Sequence, residues 1–392
     1  ARGEGFVVDG QETRYAPGYA AVLMVCLRSG WARSSVFIGI NIVLLAVGLT
    51  AVHFVLRRGM RLTTREATVV VLLCLLSRGF IKYTLPVLSD IAYFAVSTGC
   101  LLALVEAERA RHRRRLVLLA SGAALLACAI IVRTAGVTLL GPFLFTAFRA
   151  VPRRMVLDTL WRLRWVAGLA VALGVLVVAL EGEWLMSQNS YLELAGNRFV
   201  ELGASEAIEF IGEKRVAEQG IIWLNLPEEI YPTEHRTILP LLTVVGLLAM
   251  AAGAAGFWVR RDRFGVVETY VVCYVGLHIF YPFFLDRHWL PLIPFALVYG
   301  RDAVTAFLPR AARFVTASYA AWFVAAGIVA LAVNTRISFS GSDFPRLYLY
   351  NTVTYQAAFG ATVPPGHPDL KPDLLALLRR YEPLAVEATA EP

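Results

Sequence analysis

About ten long apolar stretches run through this chain of 392 residues, and its arginine-rich junctions fall at every second gap between them. A helix that crosses a bilayer needs roughly 20 mostly apolar residues. The chain is therefore expected to be an all-α, polytopic membrane helix bundle. Spans are predicted near 34–56, 67–81, 90–106, 116–132, 136–148, 165–183, 237–259, 266–285, 291–308 and 314–333.

The arginines orient those spans. Arg57, Arg58, Arg61 and Arg65 follow the first, and Arg109, Arg111, Arg113, Arg114 and Arg115 follow the third. Arg149, Arg153, Arg154, Arg162 and Arg164 follow the fifth, Arg260, Arg261 and Arg263 the seventh, and Arg310 and Arg313 the ninth. Basic residues concentrate in cytoplasmic loops, so these loops are expected inside. Residues 82–89, 133–135, 184–236, 286–290 and the tail from 334 are then exoplasmic. Residues 1–33 read as the end of a first exoplasmic loop, 34–333 as the membrane domain with an exoplasmic insert at 184–236, and 334–392 as a short exoplasmic tail. An exoplasmic amino terminus needs something to carry it across, so a further span is expected upstream; a cleaved signal peptide is the alternative.

Composition agrees. The hydrophobic fraction is 58%, against about 45–50% for a soluble domain, and the mean hydropathy is +0.62. The net charge of +8 does not point to nucleic acid, because the excess lies in short loops beside apolar helices. Only Lys82, Lys214 and Lys371 are lysines. The five cysteines lack metal-type spacing and read as small buried hydrophobes. Within the insert, residues 191–218 place Leu192, Leu194, Phe199, Leu202, Ile208 and Ile211 against Glu193, Glu201, Glu206, Glu209 and Glu213 at helical spacing. This predicts an amphipathic helix that lies on the membrane or caps a cavity.

Four polar places fall on the exoplasmic side. In Thr13-Arg14-Tyr15-Ala16-Pro17-Gly18-Tyr19 the Pro-Gly turn holds two tyrosines and an arginine at the interface, where a plain aromatic anchor is the other reading. In Pro86-Val87-Leu88-Ser89-Asp90 the aspartate opens a span close to Lys82. It is either a helix cap or, as a carboxylate at membrane depth, a functional group. Arg133 stands between two apolar stretches and breaks the positive-inside pattern. It suits a phosphate through paired hydrogen bonds, unless it snorkels to lipid headgroups. Asp286-Arg287-His288-Trp289-Leu290-Pro291 packs an acid, a base and an imidazole at another helix start, where Arg287 is a second phosphate candidate; the other reading is Asp286 as a partner of Arg287 or a helix cap and His288 as an interfacial residue. Dinucleotide-binding, phosphate-loop and zinc-protease motifs are absent from the sequence, and His53 and His278 read as polar residues facing the bundle.

Together these places resemble the GT-C superfamily of integral membrane glycosyltransferases, in particular dolichyl-phosphate-mannose–protein mannosyltransferases and lipid A aminoarabinose transferases. Residues 1–6 followed by Thr13–Tyr19 look like the end of that family's first exoplasmic loop, with Ala16 where a proline often stands. Leu88-Ser89-Asp90 is similar to its acidic span opening, Arg133 to its basic residue near the donor phosphate, and Arg287-His288-Trp289-Leu290-Pro291 to its Arg-Tyr-Leu-Leu-Pro stretch. The likeness covers most of residues 1–310 and is one of order and sidedness.

The resemblance implies an inverting hexosyl- or pentosyltransferase that moves a sugar from a polyprenyl-phosphate donor to an exoplasmic glycan, lipid or protein acceptor. The expected setting is the inner membrane of a bacterium, with the active site on the periplasmic face. Arg133 and Arg287, with Lys82 in reserve, would hold the phosphate, with His288 beside them. Asp90 would be an auxiliary catalytic group, orienting the acceptor or a metal. Arg14, Tyr15 and Tyr19 would line the acceptor or sugar pocket, and loop 184–236 would cover it. The family's main base lies at the end of its first helix, which is expected upstream of Ala1. No metal ligand set and no cofactor is assigned, and a divalent metal stays open. A lipid or solute transporter and a non-catalytic membrane subunit are the alternatives.

Overall fold

The computed structural model describes residues 7–8, 11–12, 17–29, 31, 34–84, 89–150, 203–227, 238–279 and 286–339. Apart from an antiparallel pairing of Val7–Val8 with Gln11–Glu12, these residues are helical or connect helices. Six helices are long and apolar enough to cross a membrane, or seven if one bent pair is a single span. That is compatible with a multi-pass membrane protein. The expected span at 165–183 lies outside the described residues, as do the tail from 340 and residues 184–202 and 228–236 of the insert.

Residues Pro17–Arg28 form α1, so the end of the expected loop is itself helical, with Pro17 at its first position, where a missing N–H does no harm. Helix α2 spans Ser34–Arg58. Its 25 residues reach about 37 Å at 1.5 Å per residue, enough to cross with some tilt. Helix α3, Thr64–Leu75, starts with a capping box in which Thr63 and Glu66 satisfy each other's backbone N–H. Helix α4, Arg78–Thr84, continues it after a 56° bend. The stretch predicted as one span over 67–81 is therefore two helices with a bend between them. Helix α5 covers Ser89–Arg109 and α6 covers His112–Val132. The stretch read as a span over 136–148 is a 3-10 turn, Thr134–Leu139, leading into an 11-residue helix α7, Leu140–Ala150.

After residue 202 come α8 (Ala204–Leu224), α9 (Leu239–Val259) and α10 (Val266–Ile279). A 3-10 turn, Asp286–Leu292, leads into α11 (Ile293–Phe307), and α12 (Ala312–Phe339) follows. Helix α5 is the hub. Its spanning window is 78% buried, against 17% for α6 and α9, and it packs on α2, α6 and α7. Around it lies an aromatic core in which Phe80 meets Phe94 at 4.8 Å and Tyr270 meets Tyr274 at 5.4 Å between ring centres. The peripheral helices keep exposed Leu, Val and Ile faces, as lipid-facing surfaces do.

Of the stretch 191–218 read as an amphipathic helix, residues 191–202 lie outside the described residues, and those from Ala204 are helical in α8. Helix α8 packs along α9, and a Cβ on Gly220 would collide with the Leu242 carbonyl oxygen, one on Gly246 with that of Val216. Small residues permit such backbone approach between helices where lipid supplies no hydrophobic drive. Asn225, in the left-handed region at φ 57°, ends α8 and stitches the α3–α4 break. Its Nδ2 donates to the carbonyls of Leu76 and Phe323, both at 2.9 Å, and its Oδ1 accepts the Arg78 N–H at 2.6 Å. Backbone groups freed at the bend thus regain partners.

The arginine-rich junctions meet at one end of the bundle. Arg58 pairs Glu106 at 2.5 Å, Arg109 donates to the Arg58 carbonyl, and Arg149 pairs Glu108 at 3.4 Å. Arg260 pairs Asp302 at 2.7 Å and donates to the Met60 carbonyl, and Arg301 reaches Glu66 at 2.9 Å. Cys26, Cys74 and Cys100 are buried as expected, but Cys128 is exposed and Cys273 half-buried; all five are free thiols.

Candidate functional site

The site stands at the other end, where three chain segments bring their polar residues together. Asp90 lies in the first turn of α5, where a carboxylate complements the helix dipole, and it is 3% exposed. Arg133 ends α6 in extended backbone, with φ −160° and ψ 133°, so its side chain leaves the helix before the 3-10 turn begins. From there Nη1 pairs with Asp90 Oδ1 and Nη2 bonds His288 Nδ1. A guanidinium only donates, so Nδ1 accepts and the neutral imidazole carries its proton on Nε2. Arg287 approaches the other Asp90 oxygen, Nη1 to Oδ2 at 3.9 Å. Asp90 is thereby held between two guanidiniums. The Arg287 Nε is buried with no hydrogen-bond partner among the described residues.

The turn Asp286–Leu292 sends successive side chains to different partners. Asp286 accepts the Tyr83 hydroxyl and faces Arg78 Nη2 at 3.1 Å. Lys82 lies 5.3 Å from the Tyr83 ring centre. The His288 carbonyl accepts the Tyr274 hydroxyl at 2.6 Å. Trp289 donates through Nε1 to Glu218 Oε2 at 2.8 Å, and Glu218 also pairs with Arg215 one helical turn away on α8. His278 stacks on Tyr274 at 4.1 Å and lies 5.5 Å from the His288 ring. It donates from Nδ1 to the Tyr274 carbonyl, so its lone pair is on Nε2.

Of the residues expected from sequence, Asp90, Arg133, Arg287 and His288 form one connected cluster, and Lys82 sits beside it. Tyr19 stands apart from the contacts of that cluster: its hydroxyl donates to Asn41 Oδ1 at 3.0 Å, and Asn41 donates to the Thr84 carbonyl at 3.1 Å. Burial raises the Tyr19 phenol pKa against the opposing Asn41 hydrogen bond, which keeps the hydroxyl neutral. Arg14 and Tyr15 lie outside the described residues, as do Pro86, Val87 and Leu88. Asp90 and Asp286 belong to separate ion-pair networks, and among the described residues no three His, Cys, Asp or Glu side chains gather as a metal site would need.

Sequence reasoning passed over Arg78, Tyr83, Arg215, Glu218 and the role of Trp289. Arg78 carried a signal, because an arginine inside an apolar stretch is rare without a partner or a function. The insert reaches the site through the buried Arg215–Glu218 pair on α8; Glu193 and Glu201 of the predicted acidic face lie outside the described residues. Among the described residues, these contacts gather five cations, Arg78, Lys82, Arg133, Arg215 and Arg287, and three carboxylates, Asp90, Asp286 and Glu218. With the histidines neutral the cluster has a formal excess of positive charge, and such a site favours an anion. No protein-family model matches this chain, and no curated protein or solved structure matches it.

Proposed function

We propose that the protein is a membrane glycosyltransferase that moves a sugar from a polyprenyl-phosphate donor to an acceptor on the exoplasmic face. The carrying observation is the Asp90–Arg133–His288–Arg287 cluster, a cation-rich site at the end of the bundle away from the arginine-rich junctions. In such a transfer the acceptor hydroxyl gives its proton to a general base and attacks the anomeric carbon as the C–O bond to phosphate breaks. Negative charge grows on the departing lipid phosphate, and pre-placed cations stabilise it without reorganising. Arg133 and Arg287 supply them, the His288 Nε2–H is a third donor, and Lys82 lies within the same group. Asp90 holds the two guanidiniums in place and orients the acceptor. The ten-span topology, with the arginine-rich end cytoplasmic, belongs to this proposal; it sets the site where nucleotide sugars are absent and lipid-linked donors are needed.

One feature favours a second reading, a lipid or solute transporter. The broken α3–α4 pair and the buried pairs Arg78–Asp286 and Arg215–Glu218 are the kind of interrupted helix and charge pairing that transporters use. The two readings separate in one experiment. Membranes holding the natural full-length protein are given a mixed pool of radiolabelled polyprenyl-phosphate sugars and an envelope extract as acceptor. The transferase reading predicts label in an acceptor. Movement of intact donor across proteoliposomes, with no label transferred, would replace it with the transporter.

A further inference from the structure

At the far end of the bundle the structure holds a second cation-rich feature, independent of the transferase reading. An open cavity of about 270 Å³ lies where the ends of α2, α5 and α7 meet the α9–α10 junction. Among the described residues, Arg58, Arg61, Arg109, Arg149 and Arg263 line it, against the two acids Glu108 and Asp262. Internal contacts occupy part of this set: Arg58 pairs Glu106, Arg149 pairs Glu108, and Arg109 caps the Arg58 carbonyl. Arg61 and Arg263 have no ion pair among the described residues. Arg61 is also fixed in the left-handed region at φ 59°, where glycine or asparagine is usual. It follows the turn in which Met60 bonds back to Val55 and Leu62 bonds back to Leu56, so its backbone is anchored on both sides at the cavity rim.

We propose that this cavity binds a phosphate group, with Arg61 and Arg263 as its principal ligands. The volume lies at the lower edge of the range for small-molecule sites, which fits a headgroup-sized anion. Guanidiniums match phosphate oxygens in paired hydrogen bonds, and basic pockets between spans at a membrane face hold anionic headgroups. The phosphate comes either from an anionic phospholipid of the adjacent leaflet or from a free anion in solution, and the two sources share this chemistry.

The test uses the full chain purified in neutral detergent, with thermal unfolding followed during titration. The probes are short-chain phosphatidic acid, short-chain phosphatidylcholine as the zwitterionic lipid, and inorganic phosphate. The expected result is a saturable rise in midpoint with phosphatidic acid, inorganic phosphate or both, and no comparable rise with phosphatidylcholine. A response to phosphatidic acid alone identifies the lipid source, and one to inorganic phosphate the free anion. Arg61→Gln combined with Arg263→Gln weakens the response at least tenfold. Arg65→Gln, an exposed arginine off the cavity lining, leaves it unchanged. If the double variant does not fold, the single variants carry the test, and each weakens binding. An absent response, or an equal response in wild type and the Arg61 and Arg263 variants, overturns the proposal.

Discussion

At the residue scale, the site is built from charges that lipid would not tolerate unpaired. Arg215 and Glu218 are 3% and 0% exposed. Removing one member of such a buried pair leaves the other uncompensated, which costs about 3–5 kcal/mol, whereas replacing both with apolar groups is often near neutral. Arg215→Met alone is therefore expected to lower the unfolding midpoint sharply in detergent. Arg215→Met with Glu218→Leu recovers much of that loss, leaving the unmatched Trp289 N–H. A double variant no better than the worse single one would mean the two charges do not act as a pair. The same physics explains what was legible beforehand. Asp90, Arg133, Arg287 and His288 stand at span ends, where a polar residue is conspicuous against apolar neighbours. Glu218 could not be picked out, because its partner Trp289 is 71 residues away and the surrounding helix carries other acids that face elsewhere.

At the element scale, α8 depends on close backbone contact and on its terminal asparagine. Asn225→Ala deletes donors to two carbonyls and the acceptor for the Arg78 N–H. At about 1–3 kcal/mol for each buried polar group left unmatched, the expected loss is several kcal/mol, read as a lower midpoint and faster hydrogen exchange over 76–84. Asn225→Gly keeps the left-handed backbone and loses the bonds, so it should fall nearly as far; full stability in the glycine variant would make the backbone, not the side chain, the determinant. Gly246→Val, whose first added carbon meets the Val216 carbonyl, should drive α8 and α9 apart and lower the midpoint too. Wild-type stability there would show the contact to be looser than the structure has it. The long spans α2, α5, α6, α9 and α12 were readable because an unbroken apolar run has one solution in lipid. The α3–α4 bend was not, since Leu76 and Ser77 are unremarkable in sequence and the bend is held by Asn225, far along the chain. Nor was the 3-10 turn at 134–139, whose residues are as apolar as those of a helix.

For the whole molecule, the account is one of two charged ends with different tasks. Arginine junctions gather at one end and the mixed cluster around Asp90 at the other, and the alternation of arginines along the sequence already required that separation. What alternation could not supply was which polar groups touch, because convergence of α5, the end of α6 and the Asp286–Leu292 turn is a property of packing. In a cysteine-free background, Thr134→Cys should react with an impermeant maleimide in intact cells, and Arg57→Cys only after permeabilisation. The reverse pattern would invert the proposed topology. The most direct test of the central claim is the rate of sugar transfer from a polyprenyl-phosphate donor by the full-length protein, compared with Arg133→Ala at matched folding and expression. The account predicts transfer by the wild type and a loss of about 100-fold or more in the variant, the scale seen when one transition-state donor is removed. Equal transfer by both proteins would contradict the assignment of Arg133 to the donor phosphate, and no transfer by the wild type with any donor in the pool would contradict the transferase itself.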